Sequence, residues 1–292
     1  MGVTYISRIT LNKKTIMPEL PEVEVICRGL RPHLLDQTVT QIFHNNKSLR
    51  SPIDILRLRK EVVSNSITAV DRRAKYLLLH MGNGATMIIH LGMTGNLGIF
   101  PIDSPLAKHD HVQWNLNDGN QLRYNDIRRF GSIHILSAAE TVDREETFFK
   151  TSGPEPLENH FTADYLHTLA KNKAVTVKQF IMDSKVVVGI GNIYANESLF
   201  RAGIRPEKPV KDISKQQWQT LIDTIKKVLT HAIACGGSTI SDFLNASQER
   251  GYFQMNFTVY GKEGQPCPQC GSPLLKSKIA ARATFYCKKC QK

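Results

Sequence analysis

Long apolar runs are missing from this sequence. No stretch approaches the roughly 18 consecutive apolar residues that a membrane-spanning helix needs, which excludes an integral helical membrane protein. Residues 1–16 hold Arg8, Lys13 and Lys14 but no apolar h-region, so they do not read as a secretory signal. There is no internal repeat and no low-complexity tract, so neither a repeat array nor a disordered tail fits. Negative charge is scarce too. Asp and Glu number 26 against 38 Lys and Arg, a net of +12, and such a surplus favours a polyanionic partner, nucleic acid or an anionic surface. What remains is ordinary: 292 residues, 41% hydrophobic and 22% charged, the make-up of a globular chain with room for two domains.

Cysteine is sparse, and its placement is informative. Cys27 and Cys235 stand alone and read as small buried apolar residues. The other four form two C-x2-C pairs, Cys267 with Cys270 and Cys287 with Cys290, sixteen residues apart. Two such pairs on a short hairpin set four thiolates at the corners of a tetrahedron, as a closed structural Zn²⁺ site requires. Disulfides would need an oxidising compartment, and no export signal points to one. One Zn²⁺ per chain is therefore expected. From Gly261 onward, seven Lys or Arg face one acidic residue, so the hairpin stays basic after binding zinc and is expected to grip phosphate.

Between Thr38 and Leu136, short apolar segments alternate with turn signals. Tyr76–Met81 and Ala85–Leu91 flank Gly82-Asn-Gly84, and His111–Leu116 and Gln121–Tyr124 flank Asn117-Asp-Gly-Asn120. Asn-Gly and Asp-Gly supply the positive-φ positions of tight hairpins, so a β-sandwich or barrel-like domain is expected. A helix precedes it. Pro21 suits a first turn, and Val23, Cys27, Leu30 and Leu34 make one apolar stripe. Residues 137–160 hold six acidic residues against two basic ones and end in Gly153-Pro-Glu-Pro156, which reads as a linker. Helical periodicity follows from Ala163 to about Gly203 and from Ser214 to Ala234, then a polar stretch leads to the zinc hairpin. Within the helical part, Gly189-Ile-Gly191 is no dinucleotide fingerprint, because Tyr194 fills the third glycine position. Packing glycines, or a turn whose amides and Asn192 face an anion at a helix start, explain it equally well.

The run from Met17 to Glu24, Met-Pro-Glu-Leu-Pro-Glu-Val-Glu, crowds two prolines and three carboxylates into one helix start. Dipole preferences account for Pro21, Glu22 and Glu24 but not for Met17 and Pro18. This run resembles the N-terminus of bacterial formamidopyrimidine-DNA glycosylases. The resemblance continues through Arg72–Leu79, Ile89–Met93, Lys108–His111, Arg128–Gly131, Gly189–Tyr194 and Ala281–Cys287, in order, and covers most of residues 17–292. It implies an α+β multidomain fold: a catalytic β-sandwich with a leading helix over 17–136, a linker over 137–160, a helix–two-turns–helix domain over 161–256, and a zinc-finger β-hairpin over 257–292.

The same resemblance implies chemistry. Pro18, once N-terminal, is the Schiff-base nucleophile at C1′ of a damaged nucleotide, and Glu19 is the proton donor as the sugar opens. Lys75 and Arg282 are the proton donors for β- and δ-elimination, and Glu22 is either a carboxylate behind the site or a contact to the flipped base. Met93, Arg128 and Phe130 fill the space left by the flipped nucleotide. His90, His109, Lys178, Asn192 and Arg282 contact DNA, with Zn²⁺ on Cys267, Cys270, Cys287 and Cys290. Ile127 stands where the family usually has proline, so a looser loop is expected there. The segment from Ser238 to Tyr252 corresponds to the loop that covers an extruded 8-oxoguanine.

The expected function is a bifunctional glycosylase and abasic-site lyase acting on oxidised purines in duplex DNA, monomeric, cytoplasmic and without membrane contact. The rivals are an endonuclease VIII-like enzyme for oxidised pyrimidines and a non-catalytic zinc-ribbon DNA-binding protein. Residues 1–16 are expected to be a surplus or removable extension, because an internal proline nitrogen is a tertiary amide and forms no iminium ion.

Overall fold

A computed structural model describes residues 17–140, 148–236 and 257–292. The expected extension and the segment from Ser238 to Tyr252 lie outside the described residues. The chain starts with α1 (Leu20–Leu34), whose stripe of Val23, Cys27, Leu30 and Leu34 is buried as its spacing predicts. Pro21 sits in the first turn, and the Glu19 amide donates to Glu22 Oε2 at 2.8 Å, which closes the helix start.

Eight strands follow: β1 (Val39–His44), β2 (Ile67–Arg73), β3 (Tyr76–Met81), β4 (Thr86–His90), β5 (Gly95–Pro101), β6 (Asp110–Leu116), β7 (Asn120–Asp126) and β8 (Ser132–Leu136). A short helix, α2 (Ile55–Val62), lies between β1 and β2. The strands form two antiparallel four-stranded sheets, ordered β1-β6-β7-β5 and β2-β3-β4-β8. Both hairpins read from the sequence are present, with Leu78 opposite Ile88 and Trp114 opposite Leu122. One apolar core lies between the sheets and takes in the α1 stripe with Ile42, Val70, Leu79, Ile89 and Trp114.

The helical part comprises α3 (Ala163–Ala170), α4 (Val177–Ile181), α5 (Asn192–Arg201) and the long α6 (Lys215–Ala234) around a second core that includes Trp218 and Tyr194. Helix α1 packs on β2 with one part of its surface and touches α6 with another, so it joins the two lobes. The chain ends in the hairpin β9 (Leu275–Ile279) and β10 (Arg282–Tyr286), built over a small core of Phe200, Val259, Leu274, Phe285 and two of the cysteines.

The end of the acidic stretch is no free connector. Gly153, Glu155 and Pro156 are buried. The Gly153 amide donates to Ser184 O, and Pro154 O accepts the Val188 amide. These residues wedge the sandwich against the loop before α5.

Candidate active site and nucleic-acid face

Glu19 is the residue on which the lobes converge. Its side chain is 3% exposed. Its Oε2 accepts the Gly191 amide at 2.8 Å and its Oε1 the Ile193 amide at 2.9 Å, with the Tyr194 amide 3.4 Å from Oε2. The anion at the start of α5 is thus a carboxylate of this chain, and the dipole of the helix favours it. That contact explains the two glycines. A Cβ on residue 191 would fall on the Glu19 carboxyl group, and Gly189, at φ +82°, passes so close to Leu20 that a Cβ would lie 2.6 Å from its Cδ1. Close backbone approach to Glu19 and Leu20, not a dinucleotide, sets the G-x-G pattern.

Burial is the largest influence on Glu19 and pushes its pKa up to about 7. Lys75 and the amides of Ile193 and Gly191 pull it down, and Glu22 pushes it up. Glu22 in turn is 2% exposed and accepts the Tyr194 hydroxyl on Oε1 at 2.6 Å. Lys75 Nζ lies 3.5 Å from Ile190 O, in the loop that holds Glu19. Burial draws the pKa of Lys75 down, against the pull of Glu19 and Glu22.

Lys75 sits in the turn between β2 and β3, where Ala74 has φ +56°. A non-glycine residue holds that conformation only when its surroundings enforce it. Glu155 does so: Oε1 accepts the Ala74 amide at 2.6 Å and Arg73 Nη1 at 2.8 Å, while Oε2 accepts Arg72 Nη1 at 2.7 Å. Arg72 also donates to Glu24.

The four cysteines meet as their spacing predicts. Their Sγ atoms all lie within 4.8 Å of one another, with Cys270 and Cys287 at 3.5 Å and Cys267 and Cys290 at 3.8 Å. Four sulfurs at the ~2.3 Å of a Zn–S bond span tetrahedron edges of about 3.8 Å, so the donor set fits zinc. Cys27 is buried beside Val70 O and Cys235 lies near His231, both away from that cluster.

Three family models match the chain in order: the formamidopyrimidine-DNA glycosylase N-terminal domain over residues 17–133, its H2TH domain over 152–244, and a zinc finger found in FPG and IleRS over 264–292. The formamidopyrimidine-DNA glycosylase of Photobacterium profundum is 50% identical over 278 residues, covering 94% of this chain and all of the relative, and that of Geotalea uraniireducens is 46% identical over 275 residues with the same coverage. The chain belongs to the formamidopyrimidine-DNA glycosylase family.

A solved structure agrees with this. A point mutant of the Lactococcus lactis FPG in complex with a Fapy-dG-containing DNA matches with a TM-score of 0.85 at 32% identity, over 94% of this chain and all of that one. A Lactococcus lactis Fpg complex with abasic-site DNA matches at 0.84 and 31%, over 94% of this chain and 99% of that one. This chain is accordingly a DNA repair glycosylase with a zinc finger that holds one structural zinc, and DNA is its partner. Among the described residues, no helix is long and apolar enough to cross a membrane.

Within this glycosylase, the turn before Met93 and the loop of Phe130 pack against each other. A Cβ on Gly92, at φ +65°, would collide with the Phe130 backbone, so the turn carrying Met93 presses on the loop carrying Arg128 and Phe130. The Arg128 guanidinium lies 4.6 Å from the Phe130 ring centroid, and the ring is 43% exposed. The loop is not loose despite the exposed Ile127. Buried Asp126 accepts the Gly131 amide at 2.9 Å and the Arg128 amide at 3.2 Å, and the Thr94 hydroxyl donates to it as well. Thr94 Oγ1 accepts the Arg128 amide at 2.9 Å. Side-chain anchoring does here what a proline ring would do.

His90 Nδ1 accepts the Gly92 amide at 3.0 Å, so Nε2 carries the ring proton. Burial first, then Lys75, pushes its pKa down to about 4 and keeps the ring a neutral donor. His109 is half-buried beside β7, where its carbonyl accepts the Asp126 amide. Its neighbour His111 is committed internally to Asp126 O at 2.8 Å and Asn45 at 2.9 Å.

Lys178 departs from the picture of a surface lysine. It is 1% exposed and donates to Ala283 O and Thr284 Oγ1, both at 2.8 Å, and burial with Arg282 nearby pushes its pKa down to about 7. It lines a cleft of about 380 Å³ with Lys173 and the exposed Arg282. The sequence marks Glu155 only as part of a linker, and Asp126, Asn196 and Glu197 as nothing in particular. Each is a polar residue whose partners lie far along the chain or in an adjoining turn, and no local pattern marks it. The one available signal was Glu155 between two prolines.

Proposed function

We propose that this glycosylase excises oxidised purines, 8-oxoguanine and formamidopyrimidines, from duplex DNA and cleaves the resulting abasic site by β,δ-elimination. The observation that carries the reading is the buried Glu19 carboxyl, with a pKa near 7, directly following Pro18. An N-terminal amine titrates near pH 8, so about a tenth or more of it is the neutral nucleophile at pH 7. Its lone pair bonds to C1′, the glycosidic bond breaks and the base departs. The amine proton passes to the departing base, the freed nitrogen lone pair opens the C1′–O4′ bond, O4′ takes a proton from Glu19, and an iminium ion remains.

That cation acidifies the C2′ proton. Its removal expels the 3′ phosphate, and a second elimination expels the 5′ phosphate. Lys75, beside Glu19, and Arg282, at the edge of the zinc hairpin, supply protons to the two leaving groups. The zinc ion contributes structure: it ties the thiolates of the hairpin that carries Arg282, and it enters no step.

Chemistry at C1′ needs the nucleotide out of the stack. Met93, Arg128 and Phe130 fill the vacated space, with the guanidinium facing the orphaned base. His90, His109, Asn192 and Arg282 position the backbone, and Lys178 supports the strand of Arg282 through Ala283 and Thr284. The enzyme acts as a monomer in the cytoplasm.

A second reading, oxidised pyrimidines, has one supporting observation: a matched Lactococcus lactis Fpg structure holds an oxidized pyrimidine-containing DNA. Cleavage of 8-oxoguanine·C and thymine-glycol duplexes, with borohydride trapping, decides. Purine excision with a trapped adduct is expected. Preference for thymine glycol would favour the second reading, and no adduct on either would remove the enzyme mechanism.

A further inference from the structure

The zinc hairpin meets α5 at Asn196, a residue with no exposed surface. Its Oδ1 accepts the Phe285 amide of β10 at 2.7 Å. Its Nδ2 donates to the Asn192 carbonyl at 2.6 Å, one turn earlier, and lies 3.5 Å from Asn192 Oδ1. A single amide group therefore spans from the strand of Arg282 to the first residue of α5. The same hairpin is pinned from the other side by Lys178, through Ala283 and Thr284. The adjacent Glu197 accepts the amides of Thr258, Val259 and Tyr260, which fixes the chain entering the hairpin.

An asparagine side chain has an acceptor end and a donor end. The Asn196 amino group faces the Asn192 side-chain oxygen at 3.5 Å, which leaves the amino end of the half-exposed Asn192 as the end that Asn196 does not engage. A phosphate oxygen accepts and does not donate, and this orientation is the one that can bind it. We propose that Asn196 is the positioning residue of the phosphate grip: it orients the Asn192 amide and sets β10, with Arg282, at a fixed place relative to it. Asn196 touches no DNA. The proposal rests on the reading of Asn192 and Arg282 as phosphate contacts.

Asn196→Asp tests it. The variant keeps an acceptor for Phe285 but loses the donor facing Asn192, whose amide then turns its nitrogen inward and its oxygen toward the phosphate. The zinc-loaded enzyme with Pro18 at its N-terminus is titrated with a duplex carrying a tetrahydrofuran abasic analogue, and single-turnover excision of 8-oxoguanine is measured at saturating enzyme. Binding should weaken about tenfold, while the saturated rate stays within about twofold. The split is diagnostic, because α5 also cradles Glu19, and general damage to the helix start would slow the chemical step as well.

Placed on Asn192→Ala, the same substitution should cost no further affinity. Equal losses in both backgrounds, a parallel fall in the saturated rate, or an unchanged Kd would overturn the role of Asn196. If Asn192→Ala alone binds like the parent, the phosphate reading fails first and the proposal falls with it. Should Asn196→Asp not fold with zinc, Asn196→Ala removes the same donor while favouring helix. It also removes the acceptor of the Phe285 amide, so its affinity loss should be smaller over Asn192→Ala than over the parent, with only the part that acts through β10 remaining, and an equal loss in both backgrounds counts against the proposal.

Discussion

The carboxyl group of Glu19 occupies the space that a side chain on Gly191 would need, and the Gly191 amide donates to it at 2.8 Å. Residue 191 therefore works through what it lacks. Gly191→Ala should displace the carboxylate and lower base excision by about 100-fold or more, the scale on which a misplaced catalytic group is felt. Zinc content and the fold of the sandwich should be unchanged. Single-turnover excision with metal analysis checks this, and near-parental excision would show that Glu19 needs no such cradle.

Glu19→Gln separates the two reactions. Base removal should fall sharply, whereas Schiff-base formation on a preformed abasic site should persist, because the base is already gone. The pH profile follows from the raised pKa of Glu19, pushed up chiefly by burial to about 7. A proton donor must start protonated, so excision should fall as pH rises through about 7. Neutralisation of the Pro18 amine works in the opposite direction, and a bell-shaped profile results. Excision by the parent that stays flat from pH 6 to about 9 would contradict the assignment.

Removing the zinc, by chelation or by Cys287→Ser, should abolish DNA binding while the β-sandwich keeps its melting transition. Metal binding supplies folding energy first to the hairpin and none to the sandwich. The helical lobe should soften modestly, because Gln291 donates to Ile204 O and the Phe285 amide to Asn196 across that junction. Circular dichroism with a binding assay reads both, and full activity after stoichiometric zinc loss would end the claim.

Arg128→Ala should relax discrimination of the base opposite the lesion more than it weakens binding overall. A base-edge contact is lost and phosphate contacts are not, which is worth about 1–3 kcal/mol of discrimination. Relative excision opposite C, A, G and T measures it. Uniform loss on all four would argue for a backbone contact instead.

The Pro18 nitrogen is a secondary amine only when nothing precedes it. A borohydride-trapped adduct should therefore map to an N-terminal Pro18, with Met17 and the residues before it absent. Loss of Arg8, Lys13 and Lys14 takes the formal charge from +12 to +9, so general DNA affinity should survive. An adduct on a chain that still carries Met17 would move the nucleophile to a lysine, Lys75 first.

The sequence alone determined whatever is local. Cysteine spacing named the metal and its four ligands, because a C-x2-C turn constrains its own sulfurs. A helical apolar stripe located α1, and short apolar segments around Asn-Gly and Asp-Gly turns located both hairpins, because a helix face and a tight turn are written into neighbouring residues. The run from Met17 to Glu24 pointed to the family. Tertiary structure decided what depends on distant parts of the chain. Glu19 finds its amides at residues 191–194, Lys178 spends its ammonium on β10, and Glu155, in a stretch that reads as linker, clamps the turn of Lys75. None of these follows from periodicity. A buried polar group must be satisfied by whichever partner the fold brings to it, and that partner is fixed only when the lobes close on each other.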